Sequence, residues 1–169
     1  MRGFSKISPQ ELENVIKSIG SDWMLITVDD KEQGRANAMT ASWGAMGVLW
    51  NKNICVCFVR PQRHTYGLLK EETDFSIAFM GEEHREALKL CGRESGRDLD
   101  KLARCGLTVN RELGVPAINE ARTVLVCRKL YEDDLREDCF LDSSLLSNYP
   151  KGDYHRFYVC EIKEAYRKE

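Results

Sequence analysis

The sequence predicts a mainly β protein, an antiparallel barrel with helical insertions. Several segments are rich in β-branched and aromatic residues, which is typical of strands. Short helical segments fall between them at irregular intervals. The regular alternation of strand and helix that characterises a doubly wound parallel sheet is missing. Together these observations favour an antiparallel sheet that closes into a barrel.

The predicted strands are distributed over the whole chain. They cover residues 23–28, 35–43, 54–59, 75–80, 123–131 and 155–162. The strand at residues 54–59 is apolar on both faces, so we expect it to lie centrally in its sheet. Polar connections are expected at residues 29–34 and 132–138.

The predicted helices are short and are recognised mainly by their ends. Ser8 and Glu11 form a capping-box pattern that begins a helix over about residues 8–20. Further helices are expected over residues 65–70, 82–91 and 98–104, with Asp98 as the N-cap of the last. Residues 141–149 suit a loop or a helical turn. No repeat or linker interrupts the chain, so we expect one domain over residues 1–169, with the barrel at about 22–162.

Composition and charge disfavour several classes of function. The 25 basic and 27 acidic side chains give a formal charge of −2, and no basic cluster offers a surface for nucleic acid. The apolar run at residues 54–59 is far too short to span a membrane, and the first residues lack the apolar core of a secretory signal. Seven cysteines cannot all pair within one chain, so reduced thiols and a cytoplasmic location are expected.

One candidate anion site follows the strand at residues 54–59. Arg60, Arg63 and His64 precede Thr65, which suits the start of a helix. A helix N-terminus offers free N–H groups, and an arginine adds a planar set of donors, so a phosphate or carboxylate would bind there. The same residues would also form an ordinary solvated Arg–His pair beside a helix cap.

A second candidate segment combines small and hydroxyl-bearing residues in one strand. From Asn37 to Gly44 the chain carries Thr40, Ser42 and Trp43 among small side chains, so a flat ligand could approach the backbone closely. An edge strand with Thr40 and Ser42 facing water would have the same composition.

The remaining candidates are individually weak. Lys101 and Arg97 lie in a glycine-containing connection and could address an anion or be exposed. His155 opens a strand and could face a ligand or make an ordinary hydrogen bond. Cys55 and Cys57 share one face of an apolar strand and are expected to be buried, with no metal site. Rossmann, P-loop and nucleophile-elbow motifs are absent.

Taken in order, four segments resemble the flavin reductase-like family of FMN-binding split barrels, in particular its short flavoredoxin-type members. The resemblance covers about residues 23–162 and departs at Cys160, where the family usually has glycine before Glu161. The matching segments are Asn37-x-Met39-Thr40-Ala41-Ser42-Trp43, Arg60-x-x-Arg63-His64-Thr65, Ser95-Gly96-Arg97-Asp98-x-Asp100-Lys101 and Gly152-Asp153-x-His155.

The resemblance implies an antiparallel FMN-binding homodimer with the flavin in a groove near the subunit interface. It implies that His155 lies near the flavin ring or the nicotinamide entry side. The implied flavin-binding residues are Asn37, Met39, Thr40, Ala41, Ser42, Trp43, Arg60, Arg63, His64, Thr65, Ser95 and Lys101.

The activity implied by the resemblance is hydride transfer from NADH or NADPH to FMN by a flavin reductase. The alternative is a flavoredoxin-like electron carrier that takes electrons from a redox protein partner. A third possibility is a barrel that binds no flavin and recognises another ligand or a partner.

Overall fold

The structure is a computed structural model that describes residues 1–169, and it consists mainly of one antiparallel sheet. The strands are β1 (Phe4–Ile7), β2 (Met24–Asp30), β3 (Arg35–Ala41), β4 (Gly44–Leu49), β5 (Lys52–Val59), β6 (Asp74–Phe79), β7 (Val109–Asn110), β8 (Ala117–Ile118), β9 (Thr123–Asp134) and β10 (Arg156–Lys168). The sheet runs in the order β3-β2-β6-β9-β10-β5-β4, and β1 pairs with the far end of β10. β7 and β8 form a separate two-stranded sheet.

The main sheet curls around an apolar interior. One core cluster draws buried side chains from six of the strands, among them Ile26, Met39, Cys57, Phe75 and Tyr158. Because these strands come from both ends of the sheet order, the sheet must bend back on itself to bring them into contact. The predicted antiparallel barrel is therefore confirmed, and the fold is a split barrel.

The helices are short and cover parts of the barrel. They are α1 (Val15–Lys17), α2 (His64–Glu71), α3 (Arg85–Arg93) and α4 (Lys101–Arg104). In α3, Ala87, Leu88 and Cys91 are buried and belong to a second core cluster on the outer side of β2 and β3. All of these helices are too short to cross a membrane.

The predicted N-terminal helix over residues 8–20 is wrong. The capping box of Ser8 and Glu11 is present, but it starts only a 3₁₀ turn, Pro9–Glu11. Asn14 then adopts a left-handed backbone conformation (φ 50°), which interrupts the helix before α1. A π-helical turn, Ser18–Asp22, completes the segment.

Several strand predictions were wrong in extent. The strands β1, β4, β7 and β8 were not predicted, β9 continues through part of the expected connection at residues 132–138, and β10 runs to Lys168. β5 is not central, because only the edge strand β4 lies beyond it. The last helix is capped by Asp100, whose carboxylate accepts from the Ala103 amide, and not by Asp98.

The cysteines are all free, and Cys55 and Cys57 are buried as predicted. Cys160 is also fully buried, and the register between β10 and β9 shifts beside it, between Val159 and Cys160. The strand therefore accommodates the cysteine at the position where the resemblance led us to expect glycine. No group of three or more His, Cys, Asp or Glu side chains is arranged to hold a metal ion.

Candidate functional site

A groove of about 260 Å³ opens where β3 and β5 end and β10 begins. Its lining includes eight of the residues singled out from the sequence, together with Phe58, which was not. The lining residues are Met39, Thr40, Ala41, Ser42, Trp43, Phe58, Arg60, Arg63 and His155. Three segments, at residues 39–43, 58–63 and 155, thus contribute to one surface.

The end of β3 forms one wall of the groove. The alternative prediction for this segment, an edge strand whose Thr40 and Ser42 face water, is correct only in part. β3 does lie at an edge of the sheet. The Thr40 hydroxyl, however, donates to the Leu88 carbonyl of α3 (2.6 Å), which ties the strand to the helix. Ser42 and the indole of Trp43, which is 44% exposed, remain available in the groove.

One end of the groove carries positive charge, because Arg63 lines it and the buried Lys101, which does not itself line the groove, shares a backbone partner with Arg63. The Arg63 guanidinium donates to the carbonyls of Cys91 (2.9 Å) and Gly92. The Lys101 ammonium, which is 4% exposed, donates to the same Cys91 carbonyl (3.3 Å). Neither cation forms a salt bridge with a carboxylate in the structure. We call this pair the cationic corner.

The cost of burying these charges is visible in their pKa values. Burial lowers the pKa of Lys101 to about 8, although the Cys91 thiol opposes the shift and the Arg63 charge adds to it. Burial also lowers the pKa of Arg63. An anion placed in the corner would offset this cost, because opposite charge favours the protonated form of each group.

The N-terminus of α2 lies beside the cationic corner and is open. Arg63 is the N-cap residue, and its side chain does not cap the helix. The backbone amides of His64 and Thr65 accordingly make no hydrogen bond within the protein. The expected capping role of Thr65 is wrong, because its buried hydroxyl accepts from the Asn37 side chain (2.8 Å).

Five of the residues implied by the resemblance are absent from the groove lining, namely Asn37, His64, Thr65, Ser95 and Lys101. His64 Nε2 bonds to the buried Asp30 carboxylate (2.6 Å). Burial opposes ionisation of Asp30, but the bonds from His64 and the Gln33 amide outweigh it and lower the pKa of Asp30. The Ser95 hydroxyl accepts from the Arg97 amide and shapes its own turn.

The loop after α3 packs tightly on the inner end of β3. A Cβ at Gly96 would lie 2.0 Å from Asn37 Oδ1, so only glycine fits there without a shift. The Gly96 carbonyl also accepts from Arg35 (3.0 Å). Asn37 thus connects this loop to Thr65 and acts as support beneath the groove lining.

The other end of the groove is charge-neutral and aromatic. Arg60 is paired with Asp153 (2.5 Å) and also donates to the Asn148 carbonyl. His155 Nδ1 lies 2.8 Å from the Tyr149 hydroxyl. Burial, with a smaller contribution from Arg60, lowers the pKa of His155 to about 4, so the imidazole is neutral at pH 7.

Sequence reasoning missed Phe58 and Tyr149. Phe58 alternates with the buried Cys57 and Val59 along β5, and this period-two pattern was the signal that it faces the other side. Tyr149 follows a 3₁₀ helix in a loop, and no periodicity marks a loop residue as part of a site.

The fold and the groove define a split-barrel protein with a positively charged end to its groove. The chain matches the sequence profile of the flavin reductase-like domain over residues 16–169 and belongs to that family. A search of curated protein sequences found no match.

Solved structures give the same result at the level of the fold. Flavoredoxin from Methanosarcina acetivorans is 26% identical, with a TM-score of 0.67 over 88% of this chain and 69% of that one. An FMN-binding domain of a flavin reductase-like enzyme from Shewanella baltica is 15% identical (TM-score 0.71, 98% and 77% covered). A putative split-barrel flavin reductase from Shewanella frigidimarina is 17% identical (TM-score 0.68, 95% and 77% covered). The last two similarities show the fold alone.

We predict that Lys101→Met stabilises the ligand-free protein at pH 7 by about 3 kcal/mol, the free energy that corresponds to lowering the lysine pKa from 10.5 to about 8. Because the folded-state pKa is depressed, the unfolded chain holds the extra proton between pH 8 and 10.5. The stability of the parent protein therefore rises with pH in that window relative to the variant.

Urea unfolding at pH 7 and at intervals up to pH 10.5 measures this difference. The control is Lys89→Met, which removes an exposed lysine paired with Glu86. The difference in stability between the parent and this control should stay constant with pH, because both proteins retain Lys101. A constant difference between parent and Lys101→Met across the window would contradict the prediction.

Proposed function

We propose that this protein binds FMN in the groove and transfers a hydride to it from NADH or NADPH. Membership of the flavin reductase-like family supports an oxidoreductase, and the cationic corner supports the cofactor. Lys101 is buried and Arg63 is half-buried, and neither has a carboxylate partner; Arg63 is also the N-cap residue at the open N-terminus of α2. This arrangement is the single observation that carries the proposal.

The corner suits a phosphate monoester in charge and in the number of available donors. Arg63 offers a planar set of donors, Lys101 a second positive charge, and the His64 and Thr65 amides two further donors. Micromolar affinity needs about 8 kcal/mol. Hydrogen bonds to charged groups contribute about 1.5–3 kcal/mol each before the costs of association. The corner could therefore supply much of the binding free energy.

The rest of the groove suits a flat ring. Small side chains at Ala41 and Ser42 leave the backbone accessible, and Trp43 and Phe58 provide apolar walls. Bound FMN would supply the hydride-accepting chemistry, so no protein nucleophile is needed. The protein would align FMN with the nicotinamide nucleotide and exclude water. Neutral His155 would donate a hydrogen bond.

A flavoredoxin-like electron carrier is the second candidate function. The similarity to a protein described as flavoredoxin, at 26% identity, favours it. The two candidates use the same cofactor site and differ only in whether a nicotinamide nucleotide or a redox protein delivers the electrons.

We predict that the protein binds FMN and that Arg63→Ala weakens this binding by about 1–3 kcal/mol, because a charged donor to the phosphate is lost. Riboflavin, which lacks the phosphate, should bind weakly to the parent and equally weakly to the variant. Titration monitored by flavin absorbance or fluorescence measures both ligands.

Arg93→Ala serves as the matched control for this experiment. Arg93 lies in α3 near the same loop, but its side chain is 74% exposed and paired with Glu94. A protein that binds no FMN, or one in which Arg63→Ala affects riboflavin as much as FMN, would argue against the phosphate assignment.

We predict that NADH or NADPH bleaches the bound flavin under anaerobic conditions. His155→Ala should slow this bleaching by about tenfold or more with FMN still bound, since a hydrogen-bond donor at the ring end is lost. His84→Ala removes a histidine from a turn away from the groove and should have no effect. Stopped-flow absorbance measures the rate. Bound flavin that neither nucleotide reduces would favour the electron carrier.

We also infer that the protein acts as a homodimer whose second copy completes the site. The groove is smaller than the roughly 300–1,000 Å³ typical of ligand sites, so one chain encloses a flavin incompletely. A broad apolar groove of about 630 Å³ continues from it through Trp43 and Phe58 to Ile16. Ile16 is 90% exposed, which is unusual for an isoleucine beside an apolar surface.

Light scattering should give twice the chain mass of 19.4 kDa for the parent protein. Ile16→Asp should shift the mass towards the monomer and weaken FMN binding, because it places a charge in the apolar groove. Leu141→Asp is the control, since Leu141 is equally exposed but lies away from this groove. A monomeric parent with full FMN affinity would contradict the dimer.

A further inference from the structure

Tyr149 and His155 form a buried hydrogen-bonded pair at the aromatic end of the groove. Their side chains are almost inaccessible, with residue exposures of 7% and 8%. The Tyr149 hydroxyl lies 2.8 Å from His155 Nδ1, and the two rings meet edge to face with centroids 5.5 Å apart. Of the two, only His155 lines this groove, and Tyr149 lines the apolar groove that continues from it.

The direction of this hydrogen bond follows from the protonation of the two groups. Burial raises the pKa of the Tyr149 phenol, so the hydroxyl keeps its proton at pH 7. Burial lowers the pKa of His155 to about 4, so the imidazole carries only one proton. The only hydrogen-bond partner of the phenol is His155 Nδ1. A buried O–H group needs an acceptor, so Tyr149 donates and Nδ1 is unprotonated.

The remaining proton of His155 is then on Nε2. This nitrogen makes no hydrogen bond within the protein and is not among the fully buried atoms that lack a partner. Trp43 and Phe58, at centroid distances of 5.1 and 6.3 Å, flank the imidazole. The free N–H therefore reaches the accessible space of the groove between two aromatic walls.

Tyr149 is itself held firmly in place. The Arg60 guanidinium lies over its ring, 5.1 Å from the centroid, and the Tyr154 ring packs at 4.9 Å. Arg60 and Asp153 are the charged groups nearest to His155, and they neutralise each other in a salt bridge. No carboxylate contacts the imidazole, so the phenol alone determines which ring nitrogen carries the proton.

We propose that Tyr149 is a positioning residue that fixes His155 in the Nε2–H tautomer and thereby presents a hydrogen-bond donor to a carbonyl oxygen of the ligand in the groove. This inference rests on the proposed function for the identity of the ligand. The flavin ring and the nicotinamide carboxamide both carry such an oxygen, and a neutral imidazole donates to it without transferring a proton.

The tautomer can be measured without any ligand. The chain contains only three histidines, so ¹⁵N spectra of histidine-labelled protein are simple, and loss of one signal set in His155→Ala assigns His155. At pH 7 we expect an unprotonated Nδ1 and a protonated Nε2. In Tyr149→Phe, His155 Nδ1 loses its hydrogen-bond donor. Its ¹⁵N signal should therefore move towards that of an unprotonated nitrogen that accepts no hydrogen bond. Tyr154→Phe, which alters the neighbouring ring, should leave it unchanged.

The functional consequence is measured on the FMN-loaded protein. Tyr149→Phe should slow flavin reduction by NAD(P)H about three- to tenfold, the loss expected when one hydrogen bond no longer orients the donor. A higher KM for the nucleotide with unchanged FMN affinity assigns the donor to the carboxamide. Weaker FMN binding assigns it to the flavin carbonyl. Tyr154→Phe should match the parent in both measurements.

Two results would overturn the proposal. The first is a protonated Nδ1 in the parent protein, which needs no variant to fold. The second is a Tyr149→Phe protein whose Nδ1 signal, rate, KM and FMN affinity all equal those of the parent. If the tautomer is as expected and FMN affinity falls in Tyr149→Phe, but no nucleotide reduces the flavin, then the reductase activity fails and the positioning role stands.

Discussion

The contact on which the candidate site depends is the sharing of the Cys91 carbonyl by Arg63 and Lys101. These two cations lie close enough to repel each other, and partial burial of Arg63 and near-complete burial of Lys101 lower the pKa of each. The carbonyls that hold them belong to the last turn of α3, where backbone acceptors lack helical partners and carry partial negative charge. A helix C-terminus thus tolerates the cations without cancelling their charge, as a carboxylate would, and leaves them able to bind an anion.

The two arginines that follow β5 show how neighbouring residues acquire opposite roles. Arg60 is neutralised by Asp153, whereas Arg63 has only carbonyl partners. The groove is consequently positive at one end and neutral at the other, where His155 is also uncharged at pH 7. A ligand with an anionic tail and a flat polar ring is oriented by this difference alone. Such an asymmetry cannot be read from composition, because both arginines lie in the same short segment.

Local patterns predicted part of the site from the sequence. Residues 39–43, Arg60 and Arg63 line the groove, and they could be predicted because strand, turn and helix start are local features. The partner of each side chain was not predictable. His64 bonds to Asp30 and Thr65 to Asn37, contacts between residues far apart in the chain. The prediction of the N-terminal helix failed although its capping signal was correct. Asn14 adopts a left-handed backbone conformation that ends the helix, and the local pattern did not reveal this.

The register between β5 and β10 explains why His155 reaches the groove at all. Val59 pairs with Arg156, so the residues just beyond the ladder, Arg60 and His155, lie side by side at the same end of the barrel. Because side chains alternate between the two faces of a strand, a slip of one residue would exchange the faces of the whole strand and turn the imidazole away. The alternating burial along β5 opposes such a slip, since it would expose Cys55, Cys57 and Val59. The apolar interior of the barrel therefore determines the position of the polar site at its end.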